Sequence, residues 1–375
     1  MSDSSLTPDI QARLSRLADV TLDERSTFAD LTTLHLGGRP RMVVRCGTAQ
    51  ATADVVRLLD AHRIPLLVVA GGSNLVVADG DLDLVVVLLE NDELSLDPQT
   101  GCLVAGAGAV WDDVVGAAVD AGLGGIECLS GIPGSAGATP VQNVGAYGAE
   151  IADVLVRVQL LDRASGEVGW VPAADLELAY RYSNLKFTSR AVVLAVELQL
   201  TTDGLSVPLR FGELARRLGA TAADERHPVA AVREAVLELR HGKGMVVVPG
   251  DHDTWSAGSF FTNPVVEPGV ADAVQATVRA VRGDADADRM PRFPGADGVK
   301  LSAAWLIERA GFVKGHPGEG APVRLSTRHT LALTNRGAAT TADLVSLARE
   351  VRDGVRETFG VTLVPEPVWI GVSIN

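Results

Sequence analysis

Residues 131–148 read Gly-Ile-Pro-Gly-Ser-Ala-Gly-Ala-Thr-Pro-Val-Gln-Asn-Val-Gly-Ala-Tyr-Gly, with five glycines, two prolines and no charged residue. Glycine and proline disfavour the interior of a helix, and a lack of charge is atypical of disorder. The stretch therefore predicts an ordered coil whose glycines let the backbone approach a ligand closely. Ser135, Thr139, Gln142 and Asn143 add neutral hydrogen-bonding groups. Because no lysine follows in P-loop spacing, we expect a large, flat, polar-edged ligand rather than a hydrolysed nucleotide.

The composition is that of a long acidic chain, and its 375 residues predict two or three domains. A net charge of −14 argues against non-specific nucleic-acid binding, which needs a basic surface. Cys46, Cys102 and Cys128 are scattered, so the sequence predicts neither a disulfide framework nor a metal site. We find no signal-peptide pattern and no apolar run of about 20 residues. We therefore expect a cytoplasmic protein with no membrane insertion.

The order of periodic segments predicts an α+β chain. Apolar residues at helical spacing predict helices over 51–63, 111–121, 228–240, 269–282, 301–310 and 341–358. Runs rich in β-branched residues predict strands over 64–70, 75–78, 83–89, 103–106, 154–162, 166–171, 191–201 and 361–370. Two segments rich in Asp, Gly and Pro, 249–254 and 283–298, are expected as exposed loops.

A turn follows the predicted strand over 64–70 and reads Gly71-Gly72-Ser73-Asn74-Leu75. Successive backbone N–H groups in such a turn are typical of an anion-binding nest. A plain loop is the alternative, since most Gly-Gly pairs have no ligand.

Three further segments contain candidate chemistry. Ser259 lies in Ala-Gly-Ser-Phe-Phe-Thr-Asn-Pro, which is not the Gly-x-Ser-x-Gly nucleophile elbow, so it is a proton donor, a ligand contact or a structural serine. Arg181, between Tyr180 and Tyr182, can be stacked and held rigid to bind a carboxylate bidentately, or it is a surface arginine stacked on tyrosine. Glu366 lies between two prolines in an apolar stretch. Burial there raises its pKa or demands a partner, unless the carboxylate faces water.

Taken together and in order, these motifs resemble the UDP-N-acetylenolpyruvoylglucosamine reductase (MurB) family, in particular the subgroup with a Tyr or Phe loop over the substrate. The resemblance runs from about residue 28 to residue 371. The matching motifs are residues 71–75, the loop 131–148, Tyr180-Arg181-x-Ser183, residues 257–264, Lys300-Leu301 before Trp305-Leu306-Ile307, and Pro365-Glu366.

The resemblance implies two-lobed FAD-binding domains of the PCMH or vanillyl-alcohol-oxidase type, followed by a C-terminal α+β substrate-binding domain. The expected boundaries are 1–92 with 361–375 for the first FAD-binding subdomain, 93–228 for the second and 229–360 for the substrate-binding domain. FAD is expected between the first two and the third is expected to close over the substrate. The implied reaction is NADPH-dependent, FAD-mediated reduction of UDP-N-acetylglucosamine enolpyruvate to UDP-N-acetylmuramate for peptidoglycan synthesis. A monomer that acts on small molecules, with no metal, is expected.

The resemblance also implies roles for individual residues. Ser259 matches the general acid, while Arg181 and Glu366 match the residues that polarise the substrate carboxylate. Glu366 can do so if it is protonated or shares a proton. The implied FAD-binding set is Gly71, Gly72, Ser73, Asn74, Leu75, Gly131, Ser135, Thr139, Pro140, Gln142, Asn143, Gly145, Ala146, Tyr147, Gly148 and Arg240. The implied substrate-binding set is Tyr180, Phe211, Lys243, Asn263, Phe293, Lys300 and Arg309.

The chain departs from the family pattern at three places. Phe211 stands where the subgroup has a tyrosine over the nucleotide, so a stacking surface remains but a hydroxyl contact is lost. Phe293 also stands where some relatives have tyrosine. Residues 244–256 form a longer insert than the family pattern predicts, which bears on the alignment of Lys243 with the family's phosphate-contacting lysine.

Two other classes of protein stay open from the sequence. One is a flavin oxidase of alcohols or sugars, a class that often anchors flavin covalently through histidine or cysteine. Cys128, three residues before the loop, is the one candidate anchor, and a structural thiol is its alternative role. The other is a flavin- or nucleotide-binding protein without activity. No histidine or cysteine lies beside Gly71 or in the 131–148 loop, which argues against the oxidase, and the presence of Ser259, Arg181 and Glu366 argues against the inactive protein.

Overall fold

The computed structural model describes residues 6–209, 212–222, 225–295 and 298–375. The chain divides into two compact units. Unit 1 comprises the described residues of Met1–Thr27, Arg39–Gly72 and Asp81–Val246, and unit 2 comprises those of Phe28–Gly38, Ser73–Gly80 and Val247–Asn375. The Gly71–Leu75 turn therefore begins in unit 1 and continues in unit 2.

Local sequence signals set the helix ends. Thr48 caps one helix by accepting from the N–H of Ala51, and Thr340 forms a capping box with Asp343. The latter helix ends at Gly360, whose φ of 71° suits glycine. The helices of the described chain are α1 Pro8–Leu14, α2 Phe28–Leu31, α3 Ala49–Ala61, α4 Trp111–Asp120, α5 Gly212–Arg217, α6 Val229–Gly242, α7 Pro268–Arg282, α8 Asp284–Ala287, α9 Ala303–Arg309 and α10 Thr341–Phe359. The predicted helices are confirmed to within about two residues.

Unit 1 holds two larger sheets and one short hairpin. Its strands are β1 Val20–Asp23, β2 Arg39–Cys46, β3 Leu66–Val69, β5 Asp81–Leu89, β6 Leu94–Leu96, β7 Cys102–Gly106, β8 Gly145–Ala146, β9 Ala149–Glu150, β10 Leu155–Asp162, β11 Val168–Pro172 and β12 Ala191–Gln199. The first sheet has the order β1-β2-β5-β3, in which β2 and β3 both pair parallel with β5. Helix α3 makes the crossover between β2 and β3, as parallel pairing requires.

The second sheet of unit 1 has the order β11-β10-β12-β7-β6 and is antiparallel throughout. The strands predicted over 103–106, 154–162, 166–171 and 191–201 all lie in this sheet, as β7, β10, β11 and β12. Both sheets, α4 and α6 enclose one continuous apolar core that includes the fully buried Trp111. The 131–148 loop lies against this core through Ala136, with Ile132, Val141 and Ala146 packed on it.

Unit 2 has a separate apolar core built on helices α7, α9 and α10. Its strands are β4 Leu75–Val77, β13 Val265–Val266, β14 Arg292–Gly295, β15 Gly298–Leu301, β16 Val323–Leu325, β17 Leu333–Asn335 and β18 Val368–Ile370. Strand β18 pairs parallel with β4, so the end of the chain lies beside the segment that follows the Gly-Gly turn. Phe260 and Phe261, next to Ser259, are among the largest fully buried side chains of this core.

Three expectations about local structure were wrong. The final strand covers only Val368–Ile370 rather than 361–370, because Pro365 and Pro367 cannot donate to a ladder. The 249–254 segment is not an exposed loop, since Asp253 and Thr254 are buried. The 283–298 segment contains α8 and β14 among its described residues.

Candidate active site

The 131–148 loop is fixed to unit 1 by its own backbone. The N–H of Trp111 donates to Gly134 O at 3.0 Å, and the N–H groups of Ala136 and Gly137 donate to backbone carbonyls at 2.9 and 3.0 Å. The loop is ordered, as predicted, but it includes one 3₁₀ turn, Ala136–Ala138, and the β8 strand. A 3₁₀ turn of three residues is a common short connector, so the glycine and proline content of the loop gives no signal for it.

Glycine is required where the loop meets its neighbours. A Cβ on Gly71 would lie 2.7 Å from Gly134 Cα, so these two backbones are in direct contact. Gly131 has φ +68°, and a Cβ there would lie 2.9 Å from both Leu237 and Val246. Both positions exclude a side chain, because neighbouring atoms of unit 1 already occupy the space a Cβ would take.

Two buried polar atoms of the predicted cofactor set have no hydrogen-bond partner among the described residues: Ser135 Oγ and Arg240 Nε. Arg240 is 8 % exposed, its Nη2 donates to Met245 O at 2.8 Å, and burial lowers the pKa of its guanidinium. Buried donors normally have a partner, so unpaired atoms beside a glycine-lined loop indicate a polar ligand. The donor set fits FAD, whose pyrophosphate, ribityl and ring edges offer many acceptors.

Replacing Gly71 with alanine is expected to weaken retention of the flavin. The added methyl group collides with Gly134 backbone and separates the turn from the loop, an overpacking cost of about 1–3 kcal/mol. The bound flavin per polypeptide and the melting temperature measure this. Gly169→Ala on β11 is the matched control, because a Cβ there meets nothing within 4 Å. Equal flavin content in the two variants would contradict the packing argument.

Arg181 lies in unit 1 on a strained hairpin beside the loop. Its φ is +54°, which is unusual for a residue other than glycine. Its guanidinium donates from Nη2 to Gly145 O at 2.5 Å and from Nη1 to Asn143 O at 3.3 Å. Its Cζ lies 5.1 Å from the centre of the Tyr180 ring, which confirms the predicted stacking. The arginine is therefore held rigidly against the loop.

Asn143 and Lys186 hold that hairpin in place. Asn143, itself at φ +45°, donates from Nδ2 to Ala179 O at 3.0 Å and to the Glu150 carboxylate at 2.9 Å. Lys186 is 9 % exposed, and its Nζ donates to Arg181 O at 2.9 Å. Backbone strain persists only where surrounding contacts enforce it, and it often marks functional sites. Sequence reasoning missed the role of Lys186, because a lysine at this spacing carries no signal of its own.

Other predicted residues of unit 1 lie near the same loop. Lys243 Nζ is 2.5 Å from Glu213 Oε2 and 5.9 Å from the centre of the Tyr147 ring. Tyr147 has φ +52°, and burial raises the pKa of its phenol. Thr139 is buried and donates to Ala136 O at 2.7 Å, so it stabilises the turn. Phe211 lies outside the described residues.

In unit 2 the main chain brings the Ser259 and Glu366 segments together. The N–H of Glu366 donates to Phe260 O at 2.9 Å, and the N–H of Thr262 donates to Val364 O at 3.0 Å. The N–H of Val368 donates to Asn74 O at 2.9 Å, so Asn74 lies beside the start of β18, two residues after Glu366. Ser259 Oγ lies 3.4 Å from His329 Nε2, a contact that no motif predicted.

The remaining substrate-set residues of unit 2 have contacts within that unit. Asn263 Oδ1 accepts from the N–H of Ala303 at 2.9 Å at the start of α9. Phe293, 51 % exposed, pairs with Lys300 across β14 and β15. Arg309 Nη2 forms an ion pair with Asp286 Oδ1 at 2.8 Å, a contact that joins α9 to α8 within unit 2.

Cys128 is a buried thiol of the unit 1 core. It is 2 % exposed, and burial raises the pKa of its thiol to about 12. Cys46 is buried in the same way, with a thiol pKa of about 12. A buried, protonated thiol does not attack a flavin, so the structure gives no support to a covalent anchor at Cys128.

Iodoacetamide is expected to spare Cys46 and Cys128 in the native protein. Burial disfavours the thiolate, so near pH 8 a pKa of about 12 leaves roughly one thiolate in ten thousand. Partly buried Cys102 is the site we expect to react first. Peptide mass spectrometry measures the labelling, and denatured protein is the positive control. Rapid native labelling of Cys128 would show that its surroundings are open.

Two classes of feature are absent from the described residues. They contain no cluster of three or more His, Cys, Asp or Glu side chains arranged to hold a metal ion. None of the helices in this part of the chain has both the length and the apolar character needed to cross a bilayer.

Comparison with known proteins first defines a class, the flavin-dependent oxidoreductases. Residues 40–171 match the model of an FAD binding domain. Residues 250–370 match the model of the UDP-N-acetylenolpyruvoylglucosamine reductase, C-terminal domain. The predicted fold class, an α+β protein with FAD-binding domains of the vanillyl-alcohol-oxidase type and a further C-terminal domain, is confirmed.

Whole-length relatives then give the family. The chain is 66 % identical to UDP-N-acetylenolpyruvoylglucosamine reductase of Corynebacterium glutamicum (strain R), with 100 % of both chains covered. It is 53 % identical to the Mycobacterium marinum protein of that name, covering 96 % of this chain and 98 % of the relative. The chain belongs to the UDP-N-acetylenolpyruvoylglucosamine reductase family. The crystal structure of MurB from Thermus caldophilus has the same fold, with a TM-score of 0.62, 23 % identity, and 94 % and 98 % coverage.

Proposed function

We propose that this enzyme reduces the enolpyruvyl group of UDP-N-acetylglucosamine enolpyruvate to give UDP-N-acetylmuramate for peptidoglycan synthesis, with NADPH as the reductant. The observation that carries the proposal is the pairing of the Ser259 and Glu366 segments, in which Glu366 N–H donates to Phe260 O at 2.9 Å. An acid and a carboxylate ligand on two hydrogen-bonded segments suit reduction of an alkene conjugated to a carboxylate. Whole-length relatives named for this reductase support the same assignment.

The predicted cofactor set would hold FAD. Gly71, Gly72, Ser73 and Asn74 are the proposed nest for its pyrophosphate, and the 131–148 loop is the proposed seat of its ring. Ser135 and Arg240 supply the buried unpaired donors. When bound, FAD supplies the hydride, which it has taken from NADPH. The neutral loop leaves the charged substrate carboxylate to other residues of the chain.

Arg181 is the proposed ligand of that carboxylate. Hydride addition to the terminal alkene carbon places negative charge on the carboxylate as an enediolate-like species. A rigid cation beside it lowers the barrier, and one such preorganised donor is typically worth about 3–4 kcal/mol. The bonds from its guanidinium to Asn143 O and Gly145 O supply the rigidity.

Ser259 is the proposed proton donor to the carbon next to the carboxylate. A neutral hydroxyl can act as the acid because the carbanionic carbon is a strong base, and positioned proton transfer contributes roughly 10²–10⁴-fold. Glu366 hydrogen-bonds the substrate carboxylate in this proposal, in a protonated or proton-sharing form. A pH–rate profile that is unchanged in Glu366→Gln would contradict that form.

The remaining assignments concern the nucleotide and the setting. Lys243 is proposed to contact the nucleotide phosphates, and the rest of the nucleotide set is Tyr180, Phe211, Asn263, Phe293, Lys300 and Arg309. We retain the three-domain division at residues 92, 228 and 360 as part of the proposal. NADPH and UDP-sugars are cytoplasmic metabolites, so the enzyme is proposed to work there, as a monomer.

Product analysis tests the proposed function. Purified protein is incubated with NADPH and UDP-N-acetylglucosamine enolpyruvate, and the sugar nucleotide is analysed by mass spectrometry. The expected product is heavier by the mass of a hydrogen molecule, with one NADPH consumed per product. NADH in place of NADPH measures the coenzyme preference. Consumption of NADPH by O₂ alone, with the sugar nucleotide unchanged, would favour an oxidase.

A further inference from the structure

His329 faces the hydroxyl of Ser259 in unit 2. Its Nε2 lies 3.4 Å from Ser259 Oγ, at the long end of a hydrogen bond. The N–H of Phe260 donates to Leu331 O at 2.8 Å, so backbone pairing holds the two segments side by side. Catalytic hydrogen bonds are often longer before the substrate binds and tighten in the complex.

The turn that carries His329 is fixed from within. Ser326, which is fully buried, accepts at its Oγ from the N–H of Arg328 at 3.0 Å and from the N–H of His329 at 3.2 Å. The N–H of Ala332 donates to His329 O at 3.0 Å, and Thr330 Oγ1 donates to Glu308 Oε1 at 2.5 Å. The backbone of His329 is thus held on both sides, which limits the positions its ring can take.

Asp253, from the 244–256 insert, supports this turn. Its side chain is 5 % exposed and accepts from Ser326 Oγ at 3.2 Å, Thr327 N at 3.1 Å and Thr327 Oγ1 at 2.7 Å. Arg336 Nη1 lies 2.8 Å from Asp253 Oδ1, so the buried carboxylate is also paired with a cation. A buried carboxylate with this many partners is costly to disturb. The insert therefore stabilises, through Asp253, the turn that carries His329.

We infer that His329 positions the hydroxyl of Ser259 and returns a proton to it in each catalytic cycle. The inference rests on the proposed role of Ser259. When the Ser259 O–H bond breaks, its proton forms the new C–H bond and the serine oxygen keeps the electron pair. That alkoxide takes the Nε2 proton of the His329 imidazolium, which leaves neutral imidazole. The imidazole then takes one proton from solvent, so serine and histidine both return to their starting states.

Two substitutions separate proton supply from simple positioning. His329→Gln keeps a side-chain hydrogen-bond donor but cannot act as an acid, whereas His329→Ala removes both. In both variants we expect NADPH to bleach the absorbance of the bound flavin at the normal rate. We expect both to recover with the enolpyruvyl substrate about 10²-fold more slowly, with a larger solvent deuterium isotope effect on recovery. His316→Gln is the matched control, because His316 Nε2 lies 2.9 Å from Glu350 Oε1 and takes no part in the pair.

A second measurement needs no turnover. In ¹⁵N-histidine NMR of the protein, Ser259→Ala is expected to shift the Nε2 resonance of His329, assigned as the signal missing from His329→Gln. Asp253→Asn is expected to shift the same resonance, whereas Asp272→Asn, on α7 and paired with Arg292, is expected to leave it in place. No movement of this resonance in Ser259→Ala would overturn the pair.

The outcomes distinguish the two levels of the proposal. If Ser259→Ala itself recovers at the wild-type rate, the proposed role of Ser259 fails. If Ser259→Ala is slow but His329→Gln recovers normally, only the proton-return inference fails. If His329→Gln is normal and His329→Ala is slow, His329 merely positions the hydroxyl and the proton-supply inference is overturned.

Discussion

Replacing Ser259 with alanine is expected to leave the bleaching of bound flavin by NADPH unchanged and to slow recovery with substrate by roughly 10²–10⁴-fold. Proton donation takes part only in the reoxidation of the flavin by the enolpyruvyl substrate, and not in its reduction by NADPH. The two half-reactions can therefore be measured separately. The Ser259 side chain is half-buried beside fully buried Phe260 and Phe261, and removing its hydroxyl leaves that packing intact. Stopped-flow flavin absorbance under anaerobic conditions measures each half separately.

Thr262→Val is the matched control for this prediction. Thr262 lies in the same segment and its Oγ1 is 3.3 Å from Val364 O, so the variant also loses a hydroxyl. We expect it to recover at close to the wild-type rate. Full-speed recovery in Ser259→Ala would remove Ser259 from the mechanism, whereas equal slowing in both variants would indicate a disturbed segment rather than a lost acid.

Replacing Arg181 is expected to have the other large effect, about 10²–10³-fold on recovery. Arg181→Lys keeps the charge but loses the planar fork, so it cannot bind a carboxylate bidentately while bonding Gly145 O. We expect lysine to restore only a small part of the loss seen in Arg181→Ala. Recovery rates against substrate concentration, with flavin content measured in parallel, separate lost transition-state stabilisation from a loosened loop.

Arg157→Lys is the control for the arginine substitution. Arg157 also stacks on an aromatic ring, with its Cζ 4.5 Å from the centre of Trp170, but it lies on the exposed hairpin of β10 and β11. We expect wild-type kinetics from that variant. Wild-type recovery in Arg181→Lys would show that a point charge is enough and that the rigid geometry at Arg181 has another purpose.

Local signals predicted much of the fold. The helix α10 has a capping box at Thr340 and a left-handed glycine at residue 360, and both signals can be read from the sequence. The final strand was overestimated because apolar content suggested strand while Pro365 and Pro367 prevented pairing. At the end of the chain, the missing N–H groups of the prolines therefore decide where the strand begins, and the apolar content does not.

The candidate site was predictable where it consists of motifs and unpredictable where it consists of distant contacts. The glycines and polar residues of the 131–148 loop predicted a bound ligand. In contrast, Ser259 and His329 are 70 residues apart in sequence, and Asp253 is 73 and 83 residues from its partners Ser326 and Arg336. Composition placed Asp253 on the surface, because an isolated aspartate in a Gly- and Pro-rich segment is normally solvated. Only tertiary structure supplies the partners that permit its burial.

Flavin absorbance followed anaerobically through one cycle tests the proposed reduction most directly. NADPH is expected to bleach the bound flavin, and UDP-N-acetylglucosamine enolpyruvate is expected to restore it in stoichiometric amount. UDP-N-acetylglucosamine, which lacks the enolpyruvyl group, is expected to leave it bleached. A flavin that stays bleached with the enolpyruvyl substrate and recovers only when O₂ is admitted would contradict the assignment.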